Sequence, residues 1–176
     1  YAGTGDGVFR STDAARSWTA ASAGLSERNV LALAADPGAP DIVYAATAAG
    51  VFKTTDGGRN WTTTGFANRG ALSLVIDPTN TSVVYAGTFS PVGGPLSGFG
   101  VYRSTDAGAT WSPANSGIEG RAVLSLAIDP AGGLFAGTGN GVFRSSSGGG
   151  TWSGVNEGLS DEVVSSLIVD PRSPST

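Results

Sequence analysis

Apolar residues along the chain fall into short runs broken by Gly, Pro, Asp and Asn. In the runs at 71–76 and 123–128, large side chains (Leu72, Leu74, Ile76; Leu124, Leu126, Ile128) alternate with smaller ones (Ala71, Ser73, Val75; Val123, Ser125, Ala127). Runs at 30–35 and 164–169 occupy the same place in the pattern. Both sets of positions are apolar or small, which predicts a strand covered on its two faces; this is strand a. It stops at Asp36-Pro37, Asp77-Pro78, Asp129-Pro130 and Asp170-Pro171, because Pro lacks the ladder donor and Asp bonds forward into the turn.

Each unit has three more short strands besides strand a. Strand b is predicted at 1–4, 43–47, 83–88 and 134–138, and strand c at 8–11, 51–54, 101–104 and 142–145. Between them stand Gly5-Asp6-Gly7, Ala48-Ala49-Gly50 and Gly139-Asn140-Gly141, and Asp-Gly and Asn-Gly are hairpin signals because the turn needs positive φ. The Trp residues that open strand d and the Asp-Pro pairs return with a period of roughly 40–50 residues, which suits a four-stranded propeller blade. The units run over 1–29, 30–70, 71–122 and 123–162, with 163–176 holding a strand a that would complete the first unit.

The most specific motif lies between strands c and d. Thr54-Thr55-Asp56-Gly57-Gly58-Arg59-Asn60-Trp61 and Ser104-Thr105-Asp106-Ala107-Gly108-Ala109-Thr110-Trp111 are nearly complete copies of Ser-x-Asp-x-Gly-x-x-Trp. The first copy keeps Asp13 and Trp18 but has Ala15 for Gly, and the fourth keeps Trp152 but has Ser147 for Asp. The expected chemistry is structural: the carboxylate accepts turn amides, Gly takes the strained angle, and Trp lays its ring over the hairpin.

These residues resemble the Asp-box (BNR-type) repeats of sialidases, xyloglucanase-type glycoside hydrolases, sortilin-like receptors and photosystem II assembly factors, and the resemblance covers the whole chain. It implies an all-β fold of four-stranded antiparallel propeller blades, four in this chain. It implies little about activity, since those families share the box as a brace away from the binding face. A secreted or cell-surface setting follows from the resemblance alone.

Composition narrows the chemistry. With 40% hydrophobic residues the chain has enough apolar material for a core, and 28 Gly with 9 Pro fit many tight turns. The net charge of −4 and 14% charged residues argue against nucleic acid as a partner. Absent Cys and His remove thiol nucleophiles, imidazole bases and the usual transition-metal ligands, so neither cofactor nor metal is expected. No run approaches the roughly 20 apolar residues of a membrane span, so no membrane insertion is expected.

In a meander blade the b–c and d–a connections share one face, opposite the a–b and c–d turns. The candidate ligand face therefore carries Arg28, Asn29, Asn68, Arg69, Glu119, Arg121, Asp161 and Glu162 from the d–a loops. It also carries one long b–c insert in the third unit, from Phe89 to Phe99, apolar for a surface loop through Pro91, Pro95 and Leu96. Arg10, Lys53, Arg103 and Arg144 recur in strand c and are expected to cover apolar surface with their stems.

No catalytic residue stands out. Each Tyr sits at a repeated strand position, and no carboxylate pair is singled out for glycoside hydrolysis. The expected function is a non-catalytic scaffold for a protein, peptide or glycan. The alternatives are a fragment of an Asp-box glycoside hydrolase whose catalytic groups lie partly outside the chain, and an excised or engineered propeller piece that assembles into a larger ring. Three closures fit the sequence: further blades of the same parent chain, a homodimer completing an eight-blade ring, or a four-blade ring in which 164–169 pairs with the strand at Tyr1.

Overall fold

A computed structural model describes residues 1–90, 94, 96–170 and 172. Among them there is no helix, and the fifteen strands form four antiparallel sheets in chain order. The first sheet has three strands: β1 (Ala2–Thr4), β2 (Gly7–Arg10) and β3 (Thr19–Ala20). The second has β4 (Val30–Ala35), β5 (Val43–Thr47), β6 (Gly50–Thr54) and β7 (Thr62–Ala67). The third has β8 (Gly70–Ile76), β9 (Val84–Phe89), β10 (Val101–Ser104) and β11 (Ser112–Pro113). The fourth has β12 (Val123–Ile128), β13 (Leu134–Thr138), β14 (Gly141–Ser145) and β15 (Ser153–Gly154).

Each sheet is a meander whose neighbours in space are neighbours in sequence, the blade of a β-propeller. In the three full sheets the inner strand meets the next with one bulge near its start, between Val30 and Ala32, Ala71 and Ser73, and Val123 and Ser125. The bulge adds local twist where the strands crowd toward the axis. In the second and third sheets the b strands are the deepest: Val43, Tyr44, Ala45, Ala46 and Thr47 are all buried, as are Val84, Tyr85, Ala86 and Thr88.

The core lies between the sheets. One cluster joins Tyr44, Ala46 and Phe66 of the second sheet to Leu74, Ile76 and Tyr102 of the third, and another joins Tyr85 and Val101 of the third to Leu126, Leu134 and Trp152 of the fourth. A third packs Val8 and Leu25 against Val43, Phe52 and Trp61. Burying apolar area at about 25 cal/mol per Å² therefore holds the blades to one another as well as within themselves.

The segment 164–169 departs from the sequence reading. It forms no strand, and Ile168 is 93% exposed, so the first sheet keeps three strands and the pairing of 164–169 with the strand at Tyr1 is not made. Pro171 and 173–176 lie outside the described residues.

Candidate functional site

The c–d turns are built alike. Thr54 and Ser104 donate their hydroxyls to Asp56 and Asp106 at 2.8 Å and accept from Gly58 and Gly108 N–H at 3.0 and 2.8 Å. The same carboxylates accept the backbone N–H of Asn60 and Thr110 at 2.9 and 2.8 Å and the side chains of those residues at 2.9 and 2.6 Å. Asp13 repeats this with Ser11 and Ser17. Hydrogen bonds from the side chains of Ser17, Asn60 and Thr110 come first in lowering these three carboxyls to about 2. Ser147 in the fourth turn keeps the bond from Thr151 N–H at 2.9 Å without a carboxylate. Gly58, Gly108 and Gly149 have φ of 86°, 91° and 86°, and Ala15 takes φ 65° in their place.

The tryptophans do something other than cover their own hairpins. Trp61 and Trp152 are buried and donate their indole N–H to carbonyls of the preceding sheet, Ala21 at 2.7 Å and Ala114 at 2.8 Å. Trp111 bonds within its turn, to Gly108, but stacks edge-on against Phe66 of the preceding sheet at 5.2 Å. Trp18 is 45% exposed.

A second clasp runs the other way. Tyr44 and Lys53 both donate to the Ala107 carbonyl at 3.0 Å, Arg10 donates to Gly57 at 3.1 Å, and Tyr85 to Gly148 at 3.4 Å, each reaching the c–d turn of the following sheet. The strand-c cations lie over aromatic rings of strand b: Arg10 over Tyr1, Lys53 over Tyr44, Arg103 over Tyr85 and Arg144 over Phe135, at 5.2–5.8 Å. Burial pushes the Tyr44 hydroxyl up to about 12, so it is a fixed donor. Arg10 also pairs with Asp41 at 3.2 Å.

Loops sort onto two faces as the meander requires. On one, Gly57 N–H bonds Asp41 and Ala107 N–H bonds Ser82, joining c–d to a–b turns. On the other, d–a loops bond b–c turns: Arg28 to the Asp6 carbonyl, Asn68 N–H to Ala49, Ala122 N–H to Leu96, and Gly141 N–H to Glu162.

Every candidate ligand residue that is described can be placed on this second face. Arg28 and Asn29 are exposed, with Glu27 accepting Asn29 N–H at 2.9 Å. Asn68 turns the chain at φ 60°, and the Arg69 guanidinium lies 5.1 Å over the Tyr102 ring. Glu119 accepts Gly117 N–H at 2.8 Å. Arg121 lies 4.9 Å over the Phe143 ring, and its Nε is buried without a hydrogen-bond partner. Asp161 accepts Val163 N–H at 3.0 Å and, with Glu162, Asn140 and Asn156, lines a recess of about 90 Å³. Most of these side chains are thus used locally, and only Asp161 and Glu162 are brought to one recess.

The insert is anchored at its end. Ser97 bridges Arg121, Gly98 N–H bonds Gly120, and Asn115 donates to the Phe99 carbonyl at 2.7 Å. Phe89 lies against Gly70, leaving no room for a Cβ there, and Leu96 reaches the fourth sheet at Gly139. Leu96 and Phe99 are 41% and 43% exposed. Pro91 and Pro95 lie outside the described residues. Asn115 and Leu96's reach to Gly139 were absent from the sequence reading, although Asn115 recurs in the fourth unit as Asn156.

No family model matches the chain, and no curated protein does. Solved propellers do. The chain is similar to an ancestral GH74 enzyme (TM-score 0.74, 24% identity, 86% of this chain and 21% of that one) and to the GH74 xyloglucanase from Xanthomonas campestris (0.68, 20%, 90% and 28%). It is also similar to YCF48 bound to a D1 peptide (0.68, 17%, 96% and 54%). The chain therefore has the β-propeller fold and spans from about a fifth to about half the length of these structures.

Proposed function

We propose that the chain is a rigid, non-catalytic propeller scaffold, its c–d turns Asp-box braces, that presents its loop face to a protein, peptide or glycan. The observation that carries this reading is the Phe89–Phe99 insert. Its end is pinned to Arg121 and Asn115 while Leu96 and Phe99 stay exposed, so a ligand meets apolar groups already held in place. Peptide is favoured among the ligands because the similar YCF48 was solved with a D1 peptide.

The test is a peptide and glycan array probed with the chain, followed by calorimetry on what it captures. Replacing Leu96 and Phe99 with Ser weakens capture at least tenfold on this reading. Unchanged capture refutes the loop as the contact, and turnover of xyloglucan or sialosides refutes the scaffold reading in favour of a glycoside hydrolase fragment.

A further inference from the structure

The joint between the third and fourth sheets carries the insert on its loop face, and the end of the insert is laddered there. Ser97 and Arg121 stand directly opposite each other in an antiparallel bridge. Ala122 N–H bonds the Leu96 carbonyl at 2.9 Å on one side of the pair, and Gly98 N–H bonds the Gly120 carbonyl at 3.2 Å on the other. Gly100 N–H adds a third bond, to the Arg121 carbonyl at 3.1 Å. Bonds flanking the pair rather than joining it make this the narrow kind, in which the two side chains share one face and stand close. Leu96 and Phe99, within two residues of Ser97, are thereby fastened beside Arg121 with 41% and 43% of their surface exposed.

Arg121 belongs to a repeated position, two residues before the ladder of an inner strand, where the second and third sheets carry Arg28 and Arg69. Arg69 shows what the position does without an insert: it is exposed, its guanidinium 5.1 Å over the Tyr102 ring, and water meets its N–H groups. Arg121 keeps the ring contact, 4.9 Å over Phe143, but is half-buried. Its Nε is buried with no partner, and its Nη1 reaches only the Glu119 carbonyl at 3.5 Å, beyond the usual range of a hydrogen bond. No carboxylate answers its charge. Among the described residues the one ion pair joins Arg10 to Asp41, and the Glu119 carboxylate accepts Gly117 N–H instead. Donors taken out of water without acceptors are costly, and covering a ring does not require it, since Arg69 covers one in the open.

We infer that Arg121 is the carboxylate-binding group of the loop face. The ligand is a peptide in which a carboxylate stands next to an apolar side chain, the first paired by the Arg121 fork and the second laid on Leu96 and Phe99. This rests on the peptide reading proposed above and adds which peptides are chosen. A planar guanidinium held against a ring offers parallel donors in a fixed direction, an arrangement that suits a carboxylate better than an amide. An anion is favoured although the chain carries a net charge of −4, because only charges within about 10 Å act strongly on the ligand. Every residue of the site lies on or between two sheets that are complete in four strands, so its parts are all in place.

Short peptides with both ends capped, carrying Leu or Phe followed by Asp or Glu, test the inference by fluorescence anisotropy with the full chain. Their counterparts have Asn or Gln in place of the acid. A second series ends in Leu or Phe with the terminal carboxylate either free or amidated, which tells a side-chain source from a chain end. Carboxylate peptides of one series or both are expected to bind about tenfold tighter than their amide counterparts, a difference that shrinks as salt is added. Arg121→Gln brings them down to the level of the amide peptides, and Arg121→Lys, which keeps the charge but loses the fork, restores only part of the preference. Arg144→Gln, which takes a guanidinium from over Phe135, leaves the preference intact. Equal binding of carboxylate and amide peptides, or a preference that survives Arg121→Gln, overturns the inference and leaves the scaffold reading standing. An equal loss of both kinds of peptide in Arg121→Gln marks Arg121 as a support for the insert and overturns it too. Binding of no peptide in either series overturns this inference and the peptide reading together.

Discussion

Trp61 donates its indole N–H to the Ala21 carbonyl at 2.7 Å across the gap between two sheets, so this turn's tryptophan belongs as much to the neighbouring sheet as to its own. A blade in this chain is therefore not a free-standing unit; its apolar faces are finished by the next one.

Truncation at this joint separates ring packing from the hydrogen bond. Trp61→Ala is expected to cost about 3–5 kcal/mol, as for large core aromatics. Trp61→Phe keeps most of the ring and leaves the Ala21 carbonyl without its donor, at about 1–3 kcal/mol. The exposed Trp18→Ala costs less than about 1 kcal/mol. Urea unfolding of the three variants checks the order.

The turn carboxylates set the response to acid. Asp13, Asp56 and Asp106 are held at about 2 in the fold, below the ordinary value near 3.9 in the unfolded chain. A depressed carboxyl adds stability that is present above the unfolded value and is lost as pH falls through the folded one. Thermal midpoints are expected to hold from pH 7 to about 5 and to fall between about pH 4 and 2. The triple Asn variant, already weaker at neutral pH, loses that slope. A midpoint independent of pH in this window contradicts the turn geometry.

Strands and turns were legible in the sequence because both are local: alternation marks the strands, and Asp56 and Gly58 bond within their own turn. The partner of Trp61 was not, since a ring that crosses between sheets leaves no trace in the spacing around it. Residues 164–169 read as a strand from their place in the repeat, yet a strand exists only beside another, and β1 does not reach them. On the candidate face, the repeat put Arg69 and Arg121 between strands d and a. It could not reveal that their guanidinium groups lie over Tyr102 and Phe143.

The two irregular turns offer reverse substitutions. Ser147→Asp restores the carboxylate that Thr151 N–H and its hydroxyl await, and is expected to raise the thermal midpoint by about 2–4 °C at pH 7 and not at pH 2. Ala15→Gly relieves a side chain at φ 65°, where an L-residue costs about 1–2 kcal/mol; part of that gain is lost to the freer unfolded chain. Differential scanning calorimetry of both variants measures the changes.

A matched pair of glycine substitutions weighs the joint against the backbone angle. Gly24 and Gly158 share a left-handed conformation, φ 86° and 82°, so alanine at either carries the same strain of about 1–2 kcal/mol. At Gly24 the new methyl also meets the Trp61 carbonyl, a backbone atom that cannot swing aside, whereas at Gly158 it meets nothing. Displacing Trp61 opens the Leu25 pocket and forfeits buried contacts, so Gly24→Ala is expected to destabilise the chain by about 2 kcal/mol more than Gly158→Ala. Urea unfolding of the two variants isolates this difference. Equal losses at the two positions would mean that the Trp61 carbonyl is not held against the preceding sheet, and the tight fit between neighbouring blades would fall with it.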